Sequence, residues 1–341
     1  MKLKYKHYVL LMILLLIIVC IVAIGLGAVK VPFDRVVKII LSNIGFKFEK
    51  DWSIVEYNIV MYLRLPRILL GALVGGSLAI IGVVMQALIR NKLADPFILG
   101  VSSGASVFAT LGMLFGTFSV FGVYSLPLSA FIGSAITITF VYTISRNRGK
   151  IEITQLLLSG VAVSMMMEGV TRFIVLSAPN ALGLHNATFW MSGSLASAKW
   201  SYLMLPAVIL LICLIILMIN YRSLNILLFG EETATTLGIS VTKIQKLLIF
   251  IASLMSGVVI SVSGTIGFVG LMVPHFSRMI IGSNHKKVLP FSLIIGAVLV
   301  VFVDIIARVA IAPEELPVGI LTAIIGGPIF IYLLRKENRK G

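Results

Sequence analysis

Apolar residues in this chain form long runs instead of the short periodic patterns that give a soluble helix or strand one polar face. Each run is about 20 residues long, which is the length that a helix needs to cross the hydrocarbon core of a bilayer. The pattern predicts an all-α integral membrane protein with about ten transmembrane helices, in a single transmembrane domain over residues 1–341. The runs lie near 8–29, 66–89, 97–116, 125–145, 151–176, 200–220, 244–263, 266–282, 287–311 and 317–334.

The composition also indicates a membrane protein, because hydrophobic residues make up 59% of the chain and charged residues 12%, with a mean hydropathy of +1.09. A soluble domain needs more polar surface, and no segment of about 50 residues remains for one. The first run follows Lys2, Lys4 and Lys6, as in a signal peptide. It is too long for the apolar part of a signal peptide and lacks a convincing cleavage site, so we interpret it as a retained span.

The net charge of +15 comes from Lys and Arg residues in short clusters between the runs. Such clusters mark the cytoplasmic side of a membrane protein, so they do not indicate nucleic-acid binding. If every cluster is cytoplasmic, each interval between clusters is a membrane hairpin and both termini are cytoplasmic. The clusters are Lys2 to Lys6, Arg90/Lys92, Arg146/Arg148/Lys150, Arg222, Lys243/Lys246, Lys286/Lys287 and Arg335 to Lys340.

Two intervals need a separate interpretation. The interval 246–286 is almost continuously apolar, and it needs a break on the outer side if both of its ends are cytoplasmic. Residues 31–64 carry charges of both signs, so we expect an outer loop there with an amphipathic helix around 33–44. The residues that can supply the break in the first interval are Gly264, Gly267 and Gly270.

The chemistry of an enzyme is not indicated. Gly149-Lys150 is followed by Ile and lacks the upstream glycine of a phosphate-binding loop, so any ATPase must be another polypeptide. Residues 100–104 match G-x-S-x-G, but they open an apolar span, whereas a nucleophile elbow needs a strand, a turn and a helix. Cys20 and Cys213 lie in separate runs without metal-ligand spacing. We therefore expect neither catalysis nor a bound cofactor or metal.

Ionisable residues within spans are costly and are candidates for function. Glu168 precedes Arg172 by four residues, and Asp304 precedes Arg308 by four, so each acid faces a base on its helix. Mutual neutralisation explains these pairs as well as a functional role does. The methionines 165–167 add flexible, polarizable side chains that suit a weakly selective surface.

Three arginines lie at the outer ends of spans. Arg64 and Arg67 flank Pro66 at the outer start of the second run, and Arg308 is near the outer end of its own. Guanidinium groups that face outward there suit carboxylates on a docking partner.

Four segments carry a resemblance to a known family: RLPRILLGALVGGSLAIIGVVMQALIRNKLADPFILGVSSGA (64–105), LGISV (237–241), GTIGFVGLMVPHFSRMIIGSNHKKVLP (264–290) and ELPVGILTAIIGGPIFIYLL (315–334). Over nearly its whole length the chain resembles the FecCD-type permeases of bacterial ABC importers for iron-siderophores, haem and cobalamin. The resemblance implies the ABC importer type II permease fold in the bacterial plasma membrane. It also implies several partners: a second permease subunit, identical or paralogous, two cytoplasmic ATPase subunits that use ATP, and an extracytoplasmic substrate-binding protein.

The resemblance also assigns roles by position. Residues 229–240, FGEETATTLGIS, correspond to the helix that couples the permease to the ATPase. Acids in its first turn suit the helix dipole, and Gly238 stands where a C-terminal cap is expected. The three outer arginines, Arg64, Arg67 and Arg308, correspond to residues that receive acidic groups of the binding protein. The remaining assignments are Glu231, Glu232, Thr233, Ala234, Leu237 and Gly238 for coupling, Ile153 and Thr154 in the loop before LLLSG for a cytoplasmic gate, and Met165, Met166, Glu168 and Arg172 for the translocation path.

An iron-siderophore complex is the expected substrate, and haem or cobalamin is the alternative for the same machinery. A secondary transporter is the alternative from a different class, with Glu168 or Asp304 as a proton relay. A membrane-embedded enzyme would need Ser102 or a histidine cluster as its reactive site.

Overall fold

The apolar runs form helices because in lipid the backbone polar groups must be satisfied within a helix or a closed barrel. The structure is a computed structural model that describes residues 2–27, 29, 31–91, 93–147 and 150–338. The basic clusters include Lys92, Arg148 and Lys340, which lie outside the described residues, as does Gly149. The helices are α1 (Lys2–Gly25), α2 (Phe33–Asn43), α3 (Ile54–Asn58), α4 (Leu65–Ile89), α5 (Val101–Phe115), α6 (Ser125–Ile144), α7 (Ile153–Leu176), α8 (Ala181–Met191), α9 (Met204–Ile219), α10 (Tyr221–Leu227), α11 (Glu231–Thr236), α12 (Val241–Ser263), α13 (Val269–Ile281), α14 (His285–Val309) and α15 (Val318–Asn338).

Ten helical segments of the described chain coincide with the predicted runs. Seven are long and apolar enough to cross a membrane, and α5, α13 and most of α15 are shorter apolar helices. The all-α class and the approximate number of spans are therefore confirmed. Short 3-10 segments of the described chain lie at Pro96–Leu99, Ser119–Tyr124 and Trp200–Tyr202. A short antiparallel hairpin with two residues in each strand, β1 (Arg146–Asn147) and β2 (Lys150–Ile151), joins α6 to α7.

Several of the basic clusters meet at one end of the helix bundle. The Lys287 ammonium lies 5.7 Å from the ring centroid of Tyr5 near the start of α1, and Arg90 at the end of α4 pairs with Glu231 of α11 at 2.8 Å. We call this end of the bundle the basic side and the opposite end the far side. The meeting of these clusters agrees with the hairpin topology that the charge pattern predicts.

Segment 31–64 contains the amphipathic helix that was expected around 33–44, as α2, whose apolar face is buried. Lys38 of α2 pairs with Asp51, with 2.5 Å between Nζ and Oδ2, and this hydrogen bond lowers the pKa of the Asp51 carboxyl. The pair is solvent-exposed, so its contribution to stability is small. That contribution is present above the ordinary pKa of Asp51 and is lost as the pH falls through the lowered pKa.

The end of this segment is helical, which corrects the expectation of a loop up to residue 64. α3 continues through a π-helical stretch, Ile59–Arg64, directly into α4. Ser53 and Glu56 form a capping box, in which each side chain accepts a hydrogen bond from the backbone N–H of the other residue. The single acid of this stretch is therefore used as a cap, and the apolar residues that follow extend the second span.

The break that the glycines predict is present between α12 and α13. Gly264 has a φ of +64°, and a Cβ there would lie 2.0 Å from the carbonyl oxygen of Trp190, so only glycine fits. Next to it, the Ser194 N–H donates to the Ser263 carbonyl at 2.8 Å. The far-side end of α12 is thus joined through its backbone to the segment that follows α8.

α8 is one of the helices that were not predicted. Its 11 residues lie between α7 and α9 and are too few to cross a bilayer, so the apolar pattern gave no signal for it. Asn180 caps the helix by accepting a hydrogen bond from Gly183 N at 2.7 Å. α8 packs on α5 at the far side.

The centre of the fold is α4, which is buried along most of its length against α12, α13 and α14. A Cβ at Gly75 would lie 2.1 Å from the Gly296 carbonyl oxygen, and one at Gly82 would lie 1.9 Å from that of Gly270. The backbone of α4 is therefore in direct contact with the backbone of α14 at Gly75 and with that of α13 at Gly82. Such close contact is how helices associate in lipid, where hydrophobicity gives no drive for it.

Candidate functional site

One side of α7 is exposed along the helix and carries four of the predicted gate and path residues. Thr154, Met165, Glu168 and Arg172 follow one another after eleven, three and four residues, which places them on one stripe at 3.6 residues per turn. The Met165 residue is 69% exposed and the Arg172 side chain 76%. Met166 is also exposed and lies about 100° around the helix. The stripe further contains Leu158 and Val161.

The pairing expected between Glu168 and Arg172 is confirmed, with 2.6 Å between Oε1 and Nη2. The two charges neutralise each other within an otherwise apolar stripe, which lowers the cost of placing them on a membrane helix. Both side chains remain more than half exposed, at 58% and 76%. This polar spot is therefore available to a ligand or to another subunit.

A second exposed stripe runs along α15. Ile320, Ile324 and Ile331 are exposed and recur at intervals that share one helix face. Exposed apolar faces of this length mark interaction surfaces or lipid contact. The described residues of this chain leave both the α7 and the α15 stripes uncovered.

A cavity of about 350 Å³ lies beside Glu168 and is rich in hydroxyl groups. Ser106 and Ser164 donate to carbonyls of their own helices, at 3.0 and 2.7 Å, so their oxygens can still accept hydrogen bonds from a ligand. The sequence signal for this cavity is the run VSSGAS, which overlaps both the G-x-S-x-G match at 100–104 and the end of segment 64–105. Its lining residues are Phe97, Ser102, Ser103, Ser106, Ser164, Glu168, Thr171, Met191 and Thr265.

The helical setting of Ser102 excludes a nucleophile elbow at this position. Ser102 lies in the first turn of α5, and the preceding segment is the 3-10 helix Pro96–Leu99, not a strand. Among the described residues, no group of three His, Cys, Asp or Glu side chains could hold a metal ion. Cys213 is buried and Cys20 half-buried, and both are free thiols in apolar surroundings.

The gate residues Ile153 and Thr154 lie in the first turn of α7, which corrects the expectation of a loop. The β1–β2 hairpin completes the connection from α6 before residue 153, and α7 begins at Ile153, within the run that was predicted near 151–176. Ile153 is half-buried against the core, whereas Thr154 is exposed. The two therefore face different surroundings.

Residues 229–240 contain the helix that was predicted there, as α11. Glu231 lies in its first turn and accepts hydrogen bonds from Arg90 at 2.8 Å and from Gln245 at 3.3 Å. Gly238 has a φ of +80°, and the Ile239 N–H donates back to the Ala234 carbonyl at 2.9 Å. This is the glycine-capped end that the sequence indicated.

The side of α11 that faces away from the bundle is polar and is flanked by apolar groups. Ala234 is fully buried and seats the helix on the protein. Glu232 and Thr233 are exposed, and on either side of the helix Phe229 is 77% and Leu237 61% exposed. These two large apolar side chains remain exposed at the basic side, as expected for a surface that contacts another protein.

The outer arginines are bound within this chain. Asp304, which is 1% exposed, accepts from Arg67 Nε at 2.9 Å and pairs with Arg308 Nε at 3.1 Å. Arg67 Nη1 also pairs with Glu315 at 2.7 Å. Arg64 donates to carbonyl groups at the end of α1, including that of Ile24 at 2.7 Å. We call Arg64, Arg67, Asp304, Arg308 and Glu315 the arginine cluster.

This burial corrects the expectation that the guanidinium groups face outward, since the arginines are only 4 to 6% exposed. The physical reason is that guanidinium groups near the membrane need partners, and the chain supplies two acids and the last carbonyls of α1. The Asp304–Arg308 pair was predicted by its spacing. Arg67 and Glu315 are 248 positions apart, so no local pattern could join them.

Comparisons with known proteins agree with this architecture. A sequence profile of the FecCD transport family matches residues 15–336. The cobalamin import system permease protein of Halobacterium salinarum is 42% identical, over 82% of this chain and 74% of that protein. The hemin transport system permease protein of Yersinia pestis is 38% identical, over 84% and 86%.

A similar solved structure is described as an inward-facing conformation of a metal-chelate type ABC transporter. It has a TM-score of 0.82 and 31% identity, and the match covers 97% of this chain and 99% of that chain. Fold and relatives define the class: a multi-pass plasma-membrane permease of the ABC importer kind, and not an enzyme. The chain belongs to the FecCD transport family. Membership implies association with ATPase and substrate-binding partners.

Proposed function

We propose that this protein carries an iron-siderophore complex inward across the plasma membrane, with the basic side and both termini in the cytoplasm. The observation that carries the proposal is the exposed stripe of α7, where the Glu168–Arg172 pair interrupts an apolar face. A surface of this kind is too polar to be satisfied by lipid alone. It suits the wall of a path that a partly polar ligand follows.

The path is completed by a second permease subunit, identical or paralogous. The stripes of α7 and α15 from two subunits enclose it, with Met165 and Met166 as adaptable wall residues. Ile153 and Thr154 form the gate at the cytoplasmic end of the same helix. An oxygen-rich siderophore complex suits the hydroxyl groups next to Glu168 better than a mainly apolar porphyrin does.

The ATPase subunits bind at α11. The exposed Phe229 and Leu237 provide apolar contacts for a groove in the ATPase, and Glu231 anchors the helix to α4 through Arg90. A movement of α11 is thereby transmitted to the helix that contacts most of the bundle. The ion pair between Glu231 and Arg90 therefore couples the position of α11 to that of α4.

The binding protein docks at the arginine cluster by exchange of partners. Glu315 is the partly exposed member of the cluster, with a side chain that is 31% exposed, and it pairs with Nη1 of Arg67. A carboxylate of the binding protein competes with Glu315 for Arg67, and docking then exposes Arg64 and Arg308 to acidic groups of the partner. Charge-assisted, bidentate hydrogen bonds make such an exchange favourable.

Substrate uptake tests the proposal. A strain that lacks this protein is given a plasmid copy and offered radiolabelled iron as hydroxamate and as catecholate siderophores, and then haem and labelled cobalamin. We expect the plasmid to restore uptake of one siderophore class. Restoration only for haem, for cobalamin or for iron citrate, the compound named for a Bacillus subtilis relative 39% identical to this chain, would contradict the proposed substrate.

The same assay locates the path. Met165→Trp adds bulk to the α7 stripe and should lower uptake at least severalfold, without loss of the protein from the membrane. Leu211→Trp is the matched control, because Leu211 is 58% exposed on α9, away from both stripes. Equal uptake by the two variants would remove α7 from the path.

A further inference from the structure

A groove between α6 and α12 is separate from the path and from both docking surfaces. Its volume is about 270 Å³, and it is lined by three residues of α6 and four of α12. Lys246 and Tyr142 mark its end toward the basic side, and Ser253 is about 10 Å further along α12, at 1.5 Å per residue. The lining residues are Ile138, Thr139, Tyr142, Lys246, Ile249, Phe250 and Ser253.

The interior of the groove, beyond its entrance, is mainly apolar. Thr139 Oγ1 donates to the Ala135 carbonyl at 2.7 Å, and Ser253 Oγ donates to the Ile249 carbonyl at 2.7 Å. Both hydroxyl groups therefore direct their protons into their own helices, and only their oxygens remain to accept a hydrogen bond. The walls that remain are hydrocarbon, which suits an acyl chain.

The surface around the groove has the character of a lipid-facing surface. Ile136, Phe140 and Ile144 of α6 are 44 to 48% exposed, and Phe250 of α12 is 63% exposed. Neither α6 nor α12 carries an acidic residue. Nothing on either helix therefore repels an anion or favours a water-filled surface.

The entrance of the groove is positively charged. Lys246 forms no ion pair, and Tyr142 no hydrogen bond through its hydroxyl group, with any residue that the structure describes. Lys243 lies one turn nearer the basic side, and Arg146 follows α6 directly. A lysine with an apolar stem and no internal partner places its ammonium at the level of lipid headgroups.

We propose that this groove binds one anionic phospholipid, with its phosphate on Lys246 and Tyr142 and one acyl chain between α6 and α12. The cytoplasmic leaflet is rich in anionic lipids, and basic pockets between membrane helices on that side bind their headgroups. The lipid occupies a groove between two helices that pack on each other, and α12 also packs on the central helix α4. The site depends on the membrane topology and not on the substrate that is carried.

The test is native mass spectrometry of the purified permease complex released from vesicles of equal parts phosphatidylcholine and phosphatidylglycerol. The wild type should retain phosphatidylglycerol preferentially. Lys246→Gln removes the charge and should lower this retention about fivefold, as expected for one lysine at the membrane surface. Lys286→Gln is the control for charge, because it lies on the same side at the start of α14.

A second pair of variants tests the acyl-chain part of the site while Lys246 is kept. Thr139→Trp fills the groove and should lower retention of phosphatidylglycerol. Thr143→Trp is the control, since Thr143 is exposed one turn away and does not line the groove. Unchanged retention in Lys246→Gln, or in Thr139→Trp, would overturn the site, and so would an equal loss of both lipids.

Discussion

At the scale of single residues, the arginine cluster shows how this chain places charge in a membrane protein. Asp304 lies between Arg67 and Arg308, and Glu315 closes the other side of Arg67. Removing one partner of such a buried set leaves an unpaired charge, which costs about 3–5 kcal/mol. The cluster is therefore a structural unit first. A docking role has to operate through Glu315, its most accessible acid.

Glu315→Gln tests that role. The change releases one side of Arg67 but leaves Asp304 in place, so the protein should still fold. We expect the affinity for the binding protein to rise severalfold at low salt, because a competing carboxylate is gone, and the gain to disappear at high salt. Binding is measured with the purified permease complex and the purified binding protein at both salt concentrations.

Glu314→Gln is the matched control. Glu314 is exposed, adjacent in sequence, and makes no ion pair with any described residue. If the two variants bind the binding protein with the same affinity, the proposal that its carboxylate replaces Glu315 at Arg67 is wrong. The local spacing predicted Asp304–Arg308, but the partners of Arg67 are set by the tertiary fold and were beyond sequence analysis.

At the scale of elements, apolar length and turn chemistry predicted most helices. α4, α6, α7, α12 and α14 begin and end close to the predicted runs, because each run is long and strongly apolar. α8 and the extension of α4 through α3 were missed. Their sequences are short or contain an acid, and caps and packing decide whether such stretches are helical.

The element with the clearest prediction is α11. Leu237→Asp replaces an exposed apolar side chain, so it should leave the permease folded. If α11 inserts in the ATPase, substrate-stimulated ATP hydrolysis should fall roughly thirtyfold, since burying a leucine contributes about 2 kcal/mol and each 1.4 kcal/mol is about a factor of ten. The assay uses the reconstituted complex with its binding protein and substrate.

Val120→Asp is the control, because Val120 is 92% exposed at the far side. Normal substrate-stimulated ATP hydrolysis in Leu237→Asp would mean that α11 is a surface helix without a coupling role. An equal loss of stimulation in the two variants would also remove the coupling role from α11, because the effect would not be specific to that helix.

At the scale of the whole molecule, charge and apolar length were enough to predict the bundle and its hairpin order. They were not enough to predict which faces stay open, because the stripes of α7 and α15 and the hydroxyl-lined cavity arise only when the helices are packed. We propose that a second permease subunit covers those stripes. Dimerisation thus remains a prediction from two uncovered surfaces.

The most direct test of the account is transport by the assembled complex in sealed vesicles. The permease, the ATPase subunits and the binding protein are reconstituted, radiolabelled ferric siderophore is supplied on the side of the binding protein, and ATP on the other. The account predicts accumulation that requires ATP and survives a proton uncoupler. Accumulation that persists without the ATPase and collapses with the uncoupler would contradict it, and would favour a secondary transporter with Glu168 or Asp304 as its proton relay.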